Sequence, residues 1–148
     1  MMKRWHKYEY YLLKGDWHVH TNYTDGKNTV FEYCKQAEEN GLELIAFTEH
    51  VRKKLDYDFD DFVAEVYSAK DKFDLEILAG CEAKVLDSEG TLDVSDDILK
   101  ECEIVLGVFV IAQYQVVRKR KIESFIKGYI QMQLYAPCNT QRDNNFGS

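Results

Sequence analysis

Three short apolar segments of this chain each lead to side chains of a metal-binding type, and this pattern constrains the fold more than any other feature. Short apolar runs separated by helical segments are typical of buried parallel strands, whose carboxyl ends lie at one edge of a sheet. That edge is where α/β proteins build their active sites. The segments and the side chains at their ends are 14–20 with His18 and His20, 42–48 with His50, and 75–81 with Glu82.

Strands and helices are predicted to alternate up to residue 111. Apolar residues at helical spacing and capping side chains mark the helices, and β-branched runs mark the strands. This order predicts a parallel sheet with right-handed crossovers, a curling sheet with all helices outside. The predicted elements are strand 14–20, helix 30–40, strand 42–48, helix 60–72, strand 75–85, a short helix capped by Ser95 and ending at Lys100, and strand 104–111, with a charged loop over 49–58.

The chain divides into three predicted regions. Residues 1–13 form an N-terminal extension, residues 14–111 carry the βα units, and residues 112–148 form a divergent C-terminal region. Within the last region, apolar spacing predicts an amphipathic helix over 118–134, followed by a disordered polar tail from residue 137. A complete βα barrel needs about 200 residues or more, so this chain has room for roughly half of one.

Composition excludes several classes of protein. The formal net charge of −7 disfavours nonspecific binding of nucleic acid. No apolar run approaches the length of a membrane span, and no apolar core follows the basic N-terminus, so neither membrane association nor a secretory signal is expected. The four cysteines form no CxxC motif, which predicts reduced thiols in a cytoplasmic protein.

Five side chains form the predicted metal site. His18 and His20 share a strand face, with Cα atoms about 6.6 Å apart. The following loop returns Asp25 towards them, and Gly26 permits the tight turn that this requires. A set of imidazoles and carboxylates suits Zn, Mn or Fe(II) better than Ca or Mg. The candidate ligands are His18, His20, Asp25, His50 and Glu82.

Each of these signals is weak alone, because surface strands often carry histidine and an Asp-Gly pair is commonly just a turn. Together they are stronger, because three of the four histidines fall at strand ends predicted to share one edge. Glu49 either orients a ligand, accepts a proton or is simply solvated. Arg52 and Lys84 are candidate contacts for a substrate phosphate at the mouth of the site, although a charge run is more often a solvated loop.

The motifs resemble those of the PHP family, the polymerase and histidinol phosphatase domains. The resemblance lies in D-W-H-V-H-T-N-Y-T-D-G at residues 16–26, A-F-T-E-H at 46–50 and G-C-E at 80–82, and it spans about residues 14–110. It implies a distorted βα barrel with two or three metal ions, often Zn, Mn or Fe, and hydrolysis of phosphoesters. Carried onto this chain, it makes Glu82 the carboxylate that bridges the metals and Asp25 the loop ligand.

From this resemblance we expect a metal-dependent phosphoesterase that acts on a small phosphomonoester, in the manner of a histidinol phosphatase. The metals would lower the pKa of bound water and clamp the phosphoryl oxygens. Asp16 and Thr48 are candidates for orienting the histidines. An editing exonuclease, as in polymerase-linked relatives, is disfavoured by the acidic charge and the lack of a basic groove.

One departure from the family pattern keeps alternatives open. The family carries a histidine at the end of the fourth strand, where this chain has Val110, and no histidine follows His50. Three explanations fit: a truncated barrel, which we favour; a half-barrel completed by a homo-oligomer; or a degenerate, inactive remnant or interaction module that binds metal weakly or not at all. A truncated barrel would expose the edge of strand 4 and an apolar flank.

Overall fold

A four-stranded parallel sheet forms the centre of the molecule, as seen in a computed structural model that describes residues 8–109. The strands lie side by side in chain order and curl into part of a barrel, so the predicted α/β class and partial βα barrel are confirmed. The elements are β1 (Gly15–Val19), α1 (Val30–Glu39), β2 (Leu44–Val51), α2 (Phe59–Lys70), β3 (Glu76–Lys84), α3 (Asp96–Glu101) and β4 (Ile104–Val108), preceded by a 3-10 turn at Glu9–Tyr11.

The two faces of the sheet are covered differently. Odd-numbered residues of β2 and β3, such as Phe47 and Ile77, face the helices and form the main core with α1 and α2. Even-numbered residues, such as Leu44 and Leu78, lie on the other face in a separate apolar cluster, partly covered by aromatic side chains that include Trp17. The helices therefore lie on one side, as right-handed crossovers require.

Polar side chains determine where the helices begin. Thr29 and Glu32 form a capping box at the start of α1, which satisfies amide groups that the helix itself leaves unpaired. The Asp58 carboxylate accepts hydrogen bonds from the amides of Asp60 and Asp61, so α2 begins at Phe59, one residue before its predicted start. Gly41, with a φ of 72°, follows the end of α1 in the left-handed conformation common at this position.

The predicted boundaries of β2 were wrong at both ends. Leu42 does not start the strand, because its amide donates to the Ala37 carbonyl in the turn that ends α1. The strand also continues to Val51, although a loop was predicted from residue 49. Val51 is fully buried and pairs with Ala83 of β3. The charged residues from 49 onward predicted a loop, but they extend the strand because β3 pairs with them and buries Val51.

β3 is one residue shorter at each end than predicted, and α2 ends at Lys70 rather than 72. Several predictions lie outside the described residues: the last part of the predicted fourth strand, Val110, the helix over 118–134, the tail from 137 and most of the N-terminal extension. Among residues 8–109, no helix combines the length and apolar character needed to cross a bilayer.

Candidate metal centre

An irregularity in β1 brings two successive side chains to the inner face of the sheet. Between Asp16 and Val19, β1 advances three residues while β2 advances two. Such a bulge places two residues opposite one and locally re-aims side chains. Trp17 packs into the inner apolar cluster, and the next residue, His18, contacts Glu82 at the carboxyl edge of the same face. The sequence pattern did not indicate the bulge.

Three imidazoles surround one oxygen of Glu82. Oε2 of Glu82 lies 2.7 Å from Nε2 of His18, 3.1 Å from Nε2 of His20 and 3.8 Å from Nδ1 of His50. The two Nε2 atoms of His18 and His20 are themselves 2.8 Å apart. Glu82 is buried, whereas His18 is exposed. The carboxylate thus forms the floor of a small cluster that opens to solvent.

Asp25 forms a second group with two of the same imidazoles. Its Oδ1 lies 3.1 Å from Nδ1 of His20, and its Oδ2 lies 3.4 Å from Nε2 of His50. His20 therefore contributes to both groups, through its Nε2 on the side of Glu82 and its Nδ1 on the side of Asp25. In each group, ligand-type atoms lie within 4.8 Å of one another.

These residues fit a divalent metal ion. Nδ1 of His20 and Nδ1 of His50 are buried and have no hydrogen-bond partner among residues 8–109, whereas buried polar atoms are normally paired. Asp25 is close to Nδ1 of His20 but does not have the angles of a hydrogen bond to it. Converging imidazole nitrogens and carboxylate oxygens are the donor set of Zn, Mn and Fe sites.

The electrostatics of the cluster favour an ionised Asp25. Partial burial raises the pKa of its carboxyl group, but the rings of His50 and His20 more than offset this effect, so the pKa lies below its ordinary value. The side chain remains 70% exposed. Asp25 therefore places an anionic carboxylate on the solvent side of the cluster, whereas Glu82 is buried.

The two predicted phosphate contacts lie at the same edge but outside the cluster. Arg52 follows the last residue of β2, and its Nη1 donates to the Val51 carbonyl at 2.5 Å. Lys84 is the last residue of β3, two residues beyond Glu82, and is half-buried. Neither cation belongs to the two groups of ligand-type atoms in the described part of the chain.

The structure also places the other polar residues named from the sequence. The Asp16 carboxylate accepts a hydrogen bond from the His18 amide at 3.3 Å, so it contacts the backbone and not the ring. The Thr48 hydroxyl is buried and has no hydrogen-bond partner among residues 8–109. Glu49 is fully buried, so the solvated alternative was wrong. Its partners are Thr21 and Thr24, which no sequence signal had indicated.

Comparisons with known proteins agree with this geometry. A family model described as "PHP domain" matches residues 16–147. A protein named "Probable phosphatase" from Thermoanaerobacter sp. (strain X514) is 32% identical over 94 residues, which are 62% of this chain and 38% of the relative. A "DNA polymerase/3'-5' exonuclease PolX" from Bacillus subtilis (strain 168) is 31% identical over 108 residues, 64% of this chain and 18% of the relative.

A "Probable phosphatase" from Clostridium acetobutylicum is 29% identical over 99 residues, 66% of this chain and 40% of the relative. The chain thus spans about 40% or less of the length of these relatives. The family match covers most of the chain and extends beyond residue 110, where the motifs visible in the sequence stop. With the parallel βα fold and the ligand-type groups at its carboxyl edge, this match shows that the chain belongs to the PHP domain family.

Proposed function

We propose that this chain is a metal-dependent phosphoesterase that hydrolyses a small phosphomonoester. The observation that carries the proposal is the convergence of three imidazoles and two carboxylates at one edge of the sheet, in two groups whose ligand-type atoms lie within 4.8 Å of one another. Family membership and the names of the relatives support the same class of reaction.

The five side chains have distinct roles in this proposal. His18, His20, Asp25, His50 and Glu82 hold the metal. A bound divalent ion supplies Lewis acidity, which lowers the pKa of coordinated water and neutralises charge on a phosphoryl group. Glu82 collects three imidazoles around one buried oxygen, and Asp25 presents its carboxylate to solvent between two of them. We therefore assign catalytic roles to Glu82 and Asp25.

The reaction itself is a simple displacement. An oxygen atom from water forms a bond to phosphorus, the ester P–O bond breaks, and the leaving oxygen takes up a proton, which gives inorganic phosphate and an alcohol. Arg52 and Lys84 lie at the same edge of the sheet and supply positive charge that attracts a phosphate dianion. A small substrate of the histidinol phosphate kind suits the acidic chain better than a nucleic acid.

Metal analysis combined with a phosphatase assay tests the proposal. The purified chain is expected to contain bound Zn, Mn or Fe and to hydrolyse a generic aryl phosphate when Mn²⁺ or Zn²⁺ is added. Glu82→Gln should lower the rate by about 100-fold or more, because it removes the anionic charge that three imidazoles share. Glu39→Gln is the matched control, since Glu39 is exposed on α1 and pairs only loosely with Lys35, at 3.9 Å.

A chain that binds no metal and shows no turnover with added Mn²⁺ or Zn²⁺ would overturn the proposal. Equal losses in Glu82→Gln and Glu39→Gln would show that the effect of Glu82 is not specific to the centre. These two outcomes are distinct, because the first concerns the wild-type chain and the second concerns only the assignment of Glu82.

One sequence observation favours a second candidate function, a metal-binding or interaction module without turnover. Val110 stands where the resemblance places a metal-binding histidine. Stoichiometric metal without hydrolysis of any aryl phosphate would support this alternative. Activity that appears only in an oligomeric fraction on size-exclusion chromatography would instead support a homo-oligomer that completes the site.

A further inference from the structure

Glu49 is a buried carboxylate whose surroundings differ from those of an ordinary ion pair. It lies in β2 directly before His50 and has no solvent exposure. Its hydrogen-bond partners among residues 8–109 are neutral donors, and both belong to the loop after β1. Removing a carboxylate from water without a cationic partner is expensive unless hydrogen bonds compensate. The two hydrogen bonds compensate for this cost, and because both donors lie in the loop after β1, they also tie that loop to β2.

The two oxygens of Glu49 hold the loop at two points. Oε1 accepts a hydrogen bond from the Thr21 amide at 2.6 Å, and Oε2 accepts one from the Thr24 hydroxyl. Thr21 is itself fully buried, and its carbonyl accepts hydrogen bonds from the amides of Thr24 and Gly26 at 3.1 and 2.9 Å. The loop is thus a compact turn closed around Thr21.

Each anchored residue is next to a candidate metal ligand. Thr21 follows His20, and Thr24 precedes Asp25. Asp25 approaches His20 and His50 at 3.1 and 3.4 Å only because the turn brings it back over the sheet edge. A displacement of the turn would therefore move Asp25 away from both imidazoles.

We propose that Glu49 is a positioning residue that holds the loop after β1 so that Asp25 meets His20 and His50 in a preformed metal site. The inference rests on the proposed function, because it concerns the metal that the five ligands would hold. Among residues 8–109, the hydrogen bonds of Glu49 go to Thr21 and Thr24 and not to an imidazole, so Glu49 acts through those two residues. Residues that orient metal ligands typically change metal affinity by about 10- to 100-fold when they are removed.

The test compares Zn²⁺ affinity in variants of the full chain, measured by competition with a chromogenic chelator at low temperature. Glu49→Ala should weaken binding by about 10- to 100-fold. Glu49→Gln should stay close to wild type, because its amide oxygen still accepts from Thr21 and its NH₂ group can donate to Thr24. In metal-free protein, the Thr21 amide of Glu49→Ala should exchange its hydrogen faster than in wild type.

Glu103→Gln provides a matched structural control. The Glu103 carboxylate also accepts from a backbone amide, that of Ala79 at 2.9 Å, and it pairs with Lys70 at 2.6 Å. It precedes β4, level with Ala79 of β3 and three positions before Glu82 on that strand, and it belongs to neither group of ligand-type atoms. The control should lose stability without a change in Zn²⁺ affinity.

A double-mutant cycle with Asp25→Ala shows whether Glu49 acts through the loop ligand. The effect of Glu49→Ala on Zn²⁺ affinity should shrink several-fold when Asp25 is already absent, because coupled residues are not additive. If Glu49→Ala does not fold, Thr24→Val removes one of the two anchors from the loop side and should weaken Zn²⁺ binding in the same direction.

The inference is overturned if folded Glu49→Ala, or Thr24→Val where the former does not fold, binds Zn²⁺ as tightly as wild type. It is also overturned if Glu103→Gln shows the same loss, if the exchange rate at Thr21 is unchanged, or if the full effect persists without Asp25. A wild-type chain that binds no Zn²⁺ overturns this inference. The proposed function is overturned as well only if that chain binds no other metal and shows no turnover with added Mn²⁺ or Zn²⁺, and the remaining outcomes leave it standing.

Discussion

Gly26 lies where the loop after β1 passes closest to the backbone of the first strand. A Cβ atom added there would lie 2.0 Å from the His20 carbonyl oxygen, far inside any real contact. Among residues 8–109, the glycines with positive φ are Gly41 and Gly90, so Gly26 is not one of them. Its requirement for glycine is therefore space and not a left-handed conformation. The same close approach carries Asp25 back to the imidazoles.

Gly26→Ala is expected to lower the free energy of unfolding by about 1–3 kcal/mol, because backbone must move to accommodate the methyl group. It should also weaken Zn²⁺ binding, since the displaced loop carries Asp25. Chemical denaturation and chelator competition measure the two effects. Gly41→Ala is the control: an added Cβ meets nothing within 4 Å, but the φ of 72° makes it strained, so it should lower stability without changing Zn²⁺ affinity. Unchanged metal binding in Gly26→Ala would contradict the expectation.

At the scale of secondary-structure elements, α1 begins at a reciprocal cap. The Glu32 amide donates to the Thr29 hydroxyl at 3.3 Å, and the Glu32 carboxylate accepts from the Thr29 amide at 2.8 Å. These bonds satisfy amides that the first turn cannot pair, and they hold the pKa of Glu32 below its ordinary value. Thr29 is the last residue of the segment that joins β1 to α1 and carries Asp25. The cap of the helix therefore also fixes the end of that loop.

Thr29→Ala should lower the free energy of unfolding by about 1 kcal/mol, since it removes the capping oxygen. Thr29→Ser keeps that oxygen and is the matched control, which should stay near wild type. Urea denaturation followed by far-ultraviolet circular dichroism measures the difference. Equal stability of the alanine and serine variants would mean that the cap contributes nothing to folding.

At the scale of the whole molecule, the candidate centre joins three of the four strands. Its ligand-type residues come from β1 and the residue after it, the following loop, β2 and β3, so an ion held there would link elements far apart in the chain. The unfolded chain does not bring these residues together. Any ligand that binds only the folded state stabilises it by mass action.

Adding Zn²⁺ should therefore raise the melting temperature of the wild-type chain. The expected stabilisation is about 2.7 kcal/mol at a free metal concentration 100 times the Kd. A chelator should reverse the shift, and Glu82→Gln should show little of it because the shared carboxylate charge is gone. Thermal unfolding followed with and without metal checks this, and identical shifts in wild type and Glu82→Gln would place the stabilising ion elsewhere.

Much of the fold could be predicted because its signals are local. Alternating apolar runs and helical spacing indicated the order of strands and helices, and Ser95 indicated where α3 begins. Histidine and glutamate at strand ends indicated the candidate ligands, because parallel strands share one carboxyl edge. Side-chain type and spacing along the chain carry all of this information.

Tertiary contacts decided what the sequence pattern could not show. The bulge that turns both Trp17 and His18 inward depends on the register between β1 and β2. The extension of β2 to Val51 and the burial of Glu49 depend on the neighbouring strand and on the Thr21 loop. Charge and hydropathy describe a residue by itself, whereas strand pairing, burial and the approach of Gly26 to His20 arise only when distant segments pack together.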